Sequence, residues 1–296
     1  MERIAWVFPG QGSQYVGMGK EIYENYKDAK DIFDEASSVL GYNVARFCFE
    51  GPLEFISQTE YAQPLIFTVS IAYLKVLPQN FQFPIYVAGH SLGEYSALVA
   101  ADVLNFLEDL RIVQKRAALM KEFAEKEDGG MSACLGLPIE KIEEISKETD
   151  VEIANINSKT QIVISGKKSN LKRAEEIVKS LGGKAIRLKT QGSFHSSLMR
   201  DIGINLGNFL ESFEMKKPKI KIVQNTTGRP TDDPNSIRQG LIDQVSSKVQ
   251  WEKTMSFMRD EKIKTIIEIG PGKVLSNLIK REFSEISAIS VDGMLE

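Results

Sequence analysis

Histidine occurs only twice in 296 residues, and each time directly beside a serine: Gly89-His90-Ser91-Leu92-Gly93 and Gly192-Ser193-Phe194-His195-Ser196. A serine hydroxyl is a weak nucleophile until a positioned base takes its proton, and histidine is the usual base near neutral pH. Covalent serine chemistry in this chain therefore has two possible histidine bases.

Gly-x-Ser-x-Gly arises often by chance, so its flanks carry the argument. The apolar run Pro84-Ile85-Tyr86-Val87-Ala88 reads as a strand, and a helix-forming segment begins at Glu94. That context is a strand-to-helix elbow, which presents the Ser91 hydroxyl at the head of a helix. The Leu92 N–H would then face the position where an oxyanion develops. A second donor is expected from Pro9-Gly10-Gln11-Gly12-Ser13-Gln14, which follows the first strand. That loop lacks the Gly-Lys-Ser/Thr of a phosphate loop.

His90 precedes the serine in the turn, so its side chain should leave in another direction. His195 is the better base, carried by a distant segment that folding can bring over the elbow. No carboxylate between the two has a distinctive setting. A backbone carbonyl or an amide side chain is thus an open alternative for orienting the imidazole, the third member's main task. Arg116 is a further signal. Ile112, Val113, Leu119 and Met120 surround it at helical spacing, which puts a guanidinium on an apolar helix face. Such a charge needs an anionic partner, either a protein carboxylate or a substrate carboxylate gripped bidentately.

The elements that must position these residues alternate in the first half. Arg3–Phe8 reads as strand, Glu21–Leu40 and Gln63–Leu77 as helices, the run ending at Ala88 as strand, and Val103–Lys126 as helix. This order implies a largely parallel sheet with helices on its faces. Residues 129–190 read instead as βαββαβ, a ferredoxin-like unit inserted in the larger domain and entered at Gly129-Gly130. The expected domains are 1–128 with 191–296, and 129–190. Strands near Ile220–Gln224 and Thr265–Ile269 return the chain to the larger sheet, and a helix follows through Lys280.

Hydrophobic residues at 42%, charged residues at 26% and a net charge of −3 fit a globular enzyme and give no nucleic-acid footprint. Cys48 and Cys134 lack metal or disulfide spacing and read as buried apolar residues. No signal-peptide pattern opens the chain, and its longest apolar stretch, Ala62–Leu74, is short for a membrane span. A cytoplasmic enzyme without metal or membrane attachment is expected.

Taken together, Phe-Pro-Gly-Gln-Gly-Ser-Gln at 8–14, Gln-Pro at 63–64, Gly-His-Ser-Leu-Gly-Glu-Tyr-Ser at 89–96 and Arg-Ala-Ala-Leu-Met at 116–120 resemble the malonyl-CoA:acyl carrier protein transacylases. So do Asn-x-Asn at 155–157, Gln-Ile-Val-Ile-Ser-Gly at 161–166, Ser-Phe-His-Ser at 193–196 and Glu-Ile-Gly-Pro-Gly at 268–272. The resemblance runs nearly end to end. It implies an α/β-hydrolase-like core with the ferredoxin-like insertion, Ser91 as acylated nucleophile and His195 as base. It also implies an oxyanion hole from the Gln11 and Leu92 amides, Arg116 on the malonyl carboxylate, and the Gln244 main-chain carbonyl orienting the histidine. Gln63, Met120, Asn157 and Phe194 are implied as pocket residues, and Phe194 goes with malonyl preference.

The implied substrates are malonyl-CoA, a coenzyme A thioester, and holo acyl carrier protein. No bound cofactor is expected, and a monomer would suffice. Two positions depart from the family pattern: Lys248 stands at a usual proline, and Ser193 at a usual proline or alanine. The competing readings are an acyl hydrolase on carrier-protein thioesters, distinguished by water access to the acyl-serine, and a non-catalytic docking module. The joint presence of Ser91, His195, Gln11 and Arg116 argues against the docking module.

Overall fold

Short apolar runs become central strands buried on both faces, as parallel sheets require. In the computed structural model, which describes residues 3–78 and 81–294, β1 (Ile4–Phe8) is buried at every position. The expected domain limits at residues 1 and 296 lie outside the described residues. The other strands are β2 (Tyr86–Gly89), β3 (Gly129–Leu135), β4 (Glu152–Ser158), β5 (Gln161–Lys167) and β6 (Lys184–Arg187). They are followed by β7 (Lys221–Val223), β8 (Pro230–Thr231), β9 (Thr265–Glu268) and β10 (Ser287–Ser290).

The protein has a mixed α/β fold. One sheet has the order β10-β9-β1-β2-β7-β8 and is parallel apart from the β7–β8 pair. Helices cover both faces and divide its core in two. Phe8, Ile66 and Leu98 belong to one side, and Val7, Trp251 and Met255 to the other. The second sheet has the order β4-β5-β3-β6, with every neighbouring pair antiparallel. Its own core includes Ile142, Ile164, Leu171 and Cys134. Cys48 lies in the large core, and both cysteines are buried and free.

The two sheets are joined beside the site. Val249 N–H donates to Ala154 O at 2.8 Å, and Ile156 N–H to Val249 O at 2.9 Å, so β4 pairs with the segment that carries Gln244. Lys248 lies just before this bridge.

Several elements differ from expectation. Glu21–Leu40 is two helices, Lys20–Asn25 and Lys27–Leu40, because Tyr26 between them is extended. Two short helices, Val44–Glu50 and Leu53–Ile56, follow, and the helix expected at Gln63–Leu77 spans Thr59–Val76 with Pro64 inside it. The arginine-bearing helix is Phe106–Lys126, started by a capping box between Asn105 and Glu108. Among the described residues no helix is long and apolar enough to cross a membrane.

Candidate active site

The elbow forms as its sequence dictates. β2 ends at Gly89, and the helix Gly93–Ala100 begins four residues later. A Cβ at Gly93 would lie 2.1 Å from the Phe8 carbonyl oxygen, so only glycine lets the elbow pack this closely on β1. A Cβ at Gly10 would lie 2.4 Å from His90 O, and that close approach brings the Gln11 loop against the elbow. Ser91 itself has φ +50°, a strained conformation for a residue with a side chain.

Folding brings the two halves of the chain together at this point. Ser91 Oγ lies 2.8 Å from His195 Nε2, and His195 Nδ1 lies 2.9 Å from the Gln244 carbonyl oxygen. A carbonyl can only accept, so Nδ1 carries the proton and Nε2 is left as the base. Burial and the nearby Arg116 charge push the His195 pKa down to about 3, which keeps the imidazole neutral across the physiological range. The loop that delivers it is fixed by Ser193, whose Oγ donates to Glu127 Oε2 at 2.9 Å and whose side chain is fully buried. His90 faces elsewhere: its Nε2 lies 2.8 Å from Asn157 Oδ1, and its ring is 5.5 Å from that of Trp251.

Arg116 is 1% exposed, and among the described residues no carboxylate lies within ion-pair distance of it. Its Nη1 donates to Gln63 Oε1. Its Nη2 donates to Gln244 Oε1 at 3.0 Å and to Ser91 Oγ at 2.9 Å. Cζ sits 5.4 Å from the Tyr95 ring centroid. Neutral amides thus hold the guanidinium without neutralising it, and its Nε is buried without a hydrogen-bond partner.

A cavity of about 90 Å³ lies over Ser91. It is lined by Gln11, Leu92, Arg116, Met120, Phe194 and His195, with Met131 and Asn155 among its other walls. Among the described residues the main-chain N–H groups of Gln11 and Leu92 have no acceptor. A cleft of about 410 Å³ shares the Gln11, His90, Asn155 and Leu188 walls and leads outward past Asn157, Val274 and Arg281. Of the expected pocket residues, Met120 and Phe194 line the inner cavity. Asn157 lines the outer cleft, and Gln63 supports Arg116 from behind.

Reading the sequence missed Asn225 and Glu94. Asn225 Oδ1 accepts from Ser91 N at 2.7 Å, and Glu94 Oε2 accepts from Gln244 Nε2 at 2.6 Å. The available signals were an amide just past a strand-like run and an acid on an otherwise apolar helix turn. Burial raises the Glu94 pKa to about 7, while the bonds from Gln244 and Asn225 oppose the shift. An acid whose folded pKa is raised contributes stability below its unfolded pKa, near 4.5, and loses that contribution as pH climbs through about 7. Glu94→Gln keeps the acceptor for Gln244 and removes the titration. Its melting temperature relative to wild type should therefore improve between about pH 5 and pH 8, by the equivalent of roughly 2–3 kcal/mol. A pH-independent difference in thermal melts would contradict this.

The acyl transferase domain model matches residues 5–295. Malonyl CoA-acyl carrier protein transacylase of Bacillus subtilis (strain 168) is 40% identical over 297 residues, covering 98% of this chain and 94% of that protein. This chain belongs to the malonyl-CoA:acyl carrier protein transacylase family. Solved structures of this family superpose closely. An acyl carrier protein S-malonyltransferase from Vibrio cholerae aligns with TM-score 0.94 at 36% identity, covering 98% of this chain and 97% of that one. A malonyl-transacylase in complex with its type II PKS acyl-carrier protein gives TM-score 0.95 at 35% identity, with 98% and 96% covered. The transacylase family thus accounts for nearly every residue of the chain.

Proposed function

We propose that this chain moves a malonyl group from malonyl-CoA to the phosphopantetheine thiol of acyl carrier protein, through an ester on Ser91, for fatty acid or polyketide synthesis. One observation carries the reading. The Ser91 hydroxyl lies within hydrogen-bond distance of a neutral, oriented histidine and of a buried arginine with no carboxylate in ion-pair distance among the described residues. A free acid one methylene away from a thioester fits that pair of needs.

In the first half-reaction His195 Nε2 takes the Ser91 proton as Oγ bonds to the thioester carbon. The oxyanion is held by the Gln11 and Leu92 amides, which have no acceptor among the described residues. The C–S bond then breaks, and the coenzyme A sulfur leaves with the proton from His195. In the second half the carrier thiol gives its proton to His195, its sulfur attacks the malonyl ester, and Ser91 Oγ departs with that proton. Arg116 grips the malonyl carboxylate throughout. The outer cleft would receive the pantetheine arm.

We read residues 129–190 as a ferredoxin-like subdomain set into an α/β-hydrolase-like domain formed by 1–128 and 191–296. The antiparallel order β4-β5-β3-β6 and its separate core support that division. Every group in the scheme comes from one chain, so a monomer suffices and no cofactor is needed.

Intact-mass measurement after mixing with malonyl-CoA, acetyl-CoA and methylmalonyl-CoA in parallel tests the proposal. A malonyl adduct on Ser91 that disappears on adding holo carrier protein is the expected result. An adduct lost equally fast without the carrier would mark a hydrolase instead. The small inner cavity adds a specificity prediction. Phe194→Ser should raise methylmalonyl-CoA use relative to malonyl-CoA by about tenfold in competition kinetics, since one extra methyl against a hydrophobic wall is worth roughly 1–3 kcal/mol. An unchanged ratio would exclude Phe194 from the acyl pocket.

A further inference from the structure

Strand β7 ends at Val223, opposite Ala88 of β2, yet the hydrogen-bond ladder continues one step beyond it. In a parallel pair, one strand residue donates to a carbonyl on its neighbour and accepts from the N–H two residues further along. Asn225 makes both bonds with its side chain. Nδ2 donates to Gly89 O at 2.6 Å, and Oδ1 accepts from Ser91 N at 2.7 Å. The side-chain amide therefore imitates a backbone peptide paired with His90, at the place where β2 turns into the elbow. The Asn225 main chain is released for other work: its N–H donates to Glu94 Oε2 at 3.3 Å, and its carbonyl accepts from Gln250 N at 2.8 Å.

We propose that Asn225 is a positioning residue for acyl transfer: its amide clamps Gly89 and Ser91 and so sets where the Ser91 hydroxyl and the Leu92 N–H point. The proposal rests on Ser91 being the acylated nucleophile. Ser91 at φ +50° needs such a clamp, because a side-chain-bearing residue keeps that conformation only where its surroundings dictate it. Asn225 is 1% exposed, so water does not readily substitute for it. Alanine would leave one buried donor and one buried acceptor unmatched. Aspartate would turn an acceptor toward the Gly89 carbonyl. The groups that hold the substrate carboxylate, Arg116 with Gln63 and Gln244, do not touch the amide in either case.

Single-turnover acylation by malonyl-CoA, followed by quench and intact mass, tests Asn225→Ala and Asn225→Asp with melting temperatures measured alongside. At saturating malonyl-CoA the acylation rate should fall about a hundredfold, the cost of misplacing a reacting atom by roughly 1 Å. The half-saturating concentration should stay within about threefold, since substrate grip is untouched. A merely structural residue would lower the melting temperature and leave the rate of the folded fraction alone. Native hydrogen exchange on the unsubstituted protein supplies a reading that needs no variant: the Ser91 amide should be strongly protected. A folded variant acylating within about threefold of wild type, or a Ser91 amide exchanging as fast as in a free peptide, would overturn the clamp alone. No malonyl adduct on wild-type Ser91 would overturn the clamp and the transferase reading together.

Discussion

Ser91→Ala should show no malonyl adduct by intact mass, and transfer to holo carrier protein should fall by at least about a thousandfold. The expectation follows from how few hydroxyls can meet the base. Ser196 Oγ is committed to Ser193 O at 2.7 Å, and Ser193 Oγ to Glu127. Among the described residues the hydroxyl hydrogen-bonded to the imidazole is that of Ser91. The oxyanion amides and Arg116 survive the substitution, so malonyl-CoA should still bind, and the loss should appear in kcat. A stable malonyl adduct on the Ser91→Ala variant would mean that the ester forms elsewhere and that the elbow serves another purpose.

Arg116→Met should lower kcat/KM for malonyl-CoA by about a hundredfold, the order of losing a charge-assisted bond to a buried carboxylate. Acetyl-CoA, in contrast, should gain. In the free chain Nη2 donates to the Ser91 oxygen that must attack, and the Arg116 charge is one cause of the depressed His195 pKa. A carboxylate neutralises that charge and draws the guanidinium toward itself; an acetyl group can do neither. Methionine keeps an unbranched apolar stem and drops both effects, so the dyad becomes freer for an uncharged acyl group. Competition kinetics with the two thioesters reads the outcome directly. An unchanged preference for malonyl would make Arg116 a structural cation.

What the sequence disclosed follows the range of the interactions concerned. The elbow at Ser91 is local, fixed by two glycines, a strand and a helix, and so it is legible within one short stretch. The βαββαβ run is legible for the same reason: each of its elements has a clean period and short connections. His195 could be chosen because there was only one rival. Gln244 acts on His195 through a main-chain carbonyl, which any residue type possesses, so only the family resemblance pointed to it. Asn225 works by imitating a peptide group just past the end of the β2–β7 ladder, and one strand read alone does not reveal its neighbour.

The burial of Arg116 was legible from its helix face, whereas its lack of a carboxylate partner depends on Gln63 and Gln244 arriving from two other segments. The helices Pro234–Ser246 and Trp251–Asp260 went unread. Asp233 capping a helix that opens with Pro234 was an available start signal for the first of them.

The seam at which Val249 pairs with β4 has a consequence for biosynthesis. In the proposed mechanism nucleophile, base and base-orienting carbonyl come from positions 91, 195 and 244, and the last lies just before the stretch that stitches the two sheets together. A nascent chain presents the elbow long before residues 195 and 244 are made, so the Ser91–His195–Gln244 hydrogen-bond relay can form only after about two hundred and fifty residues have left the ribosome. The relay is thus a product of late closure and not of the elbow alone.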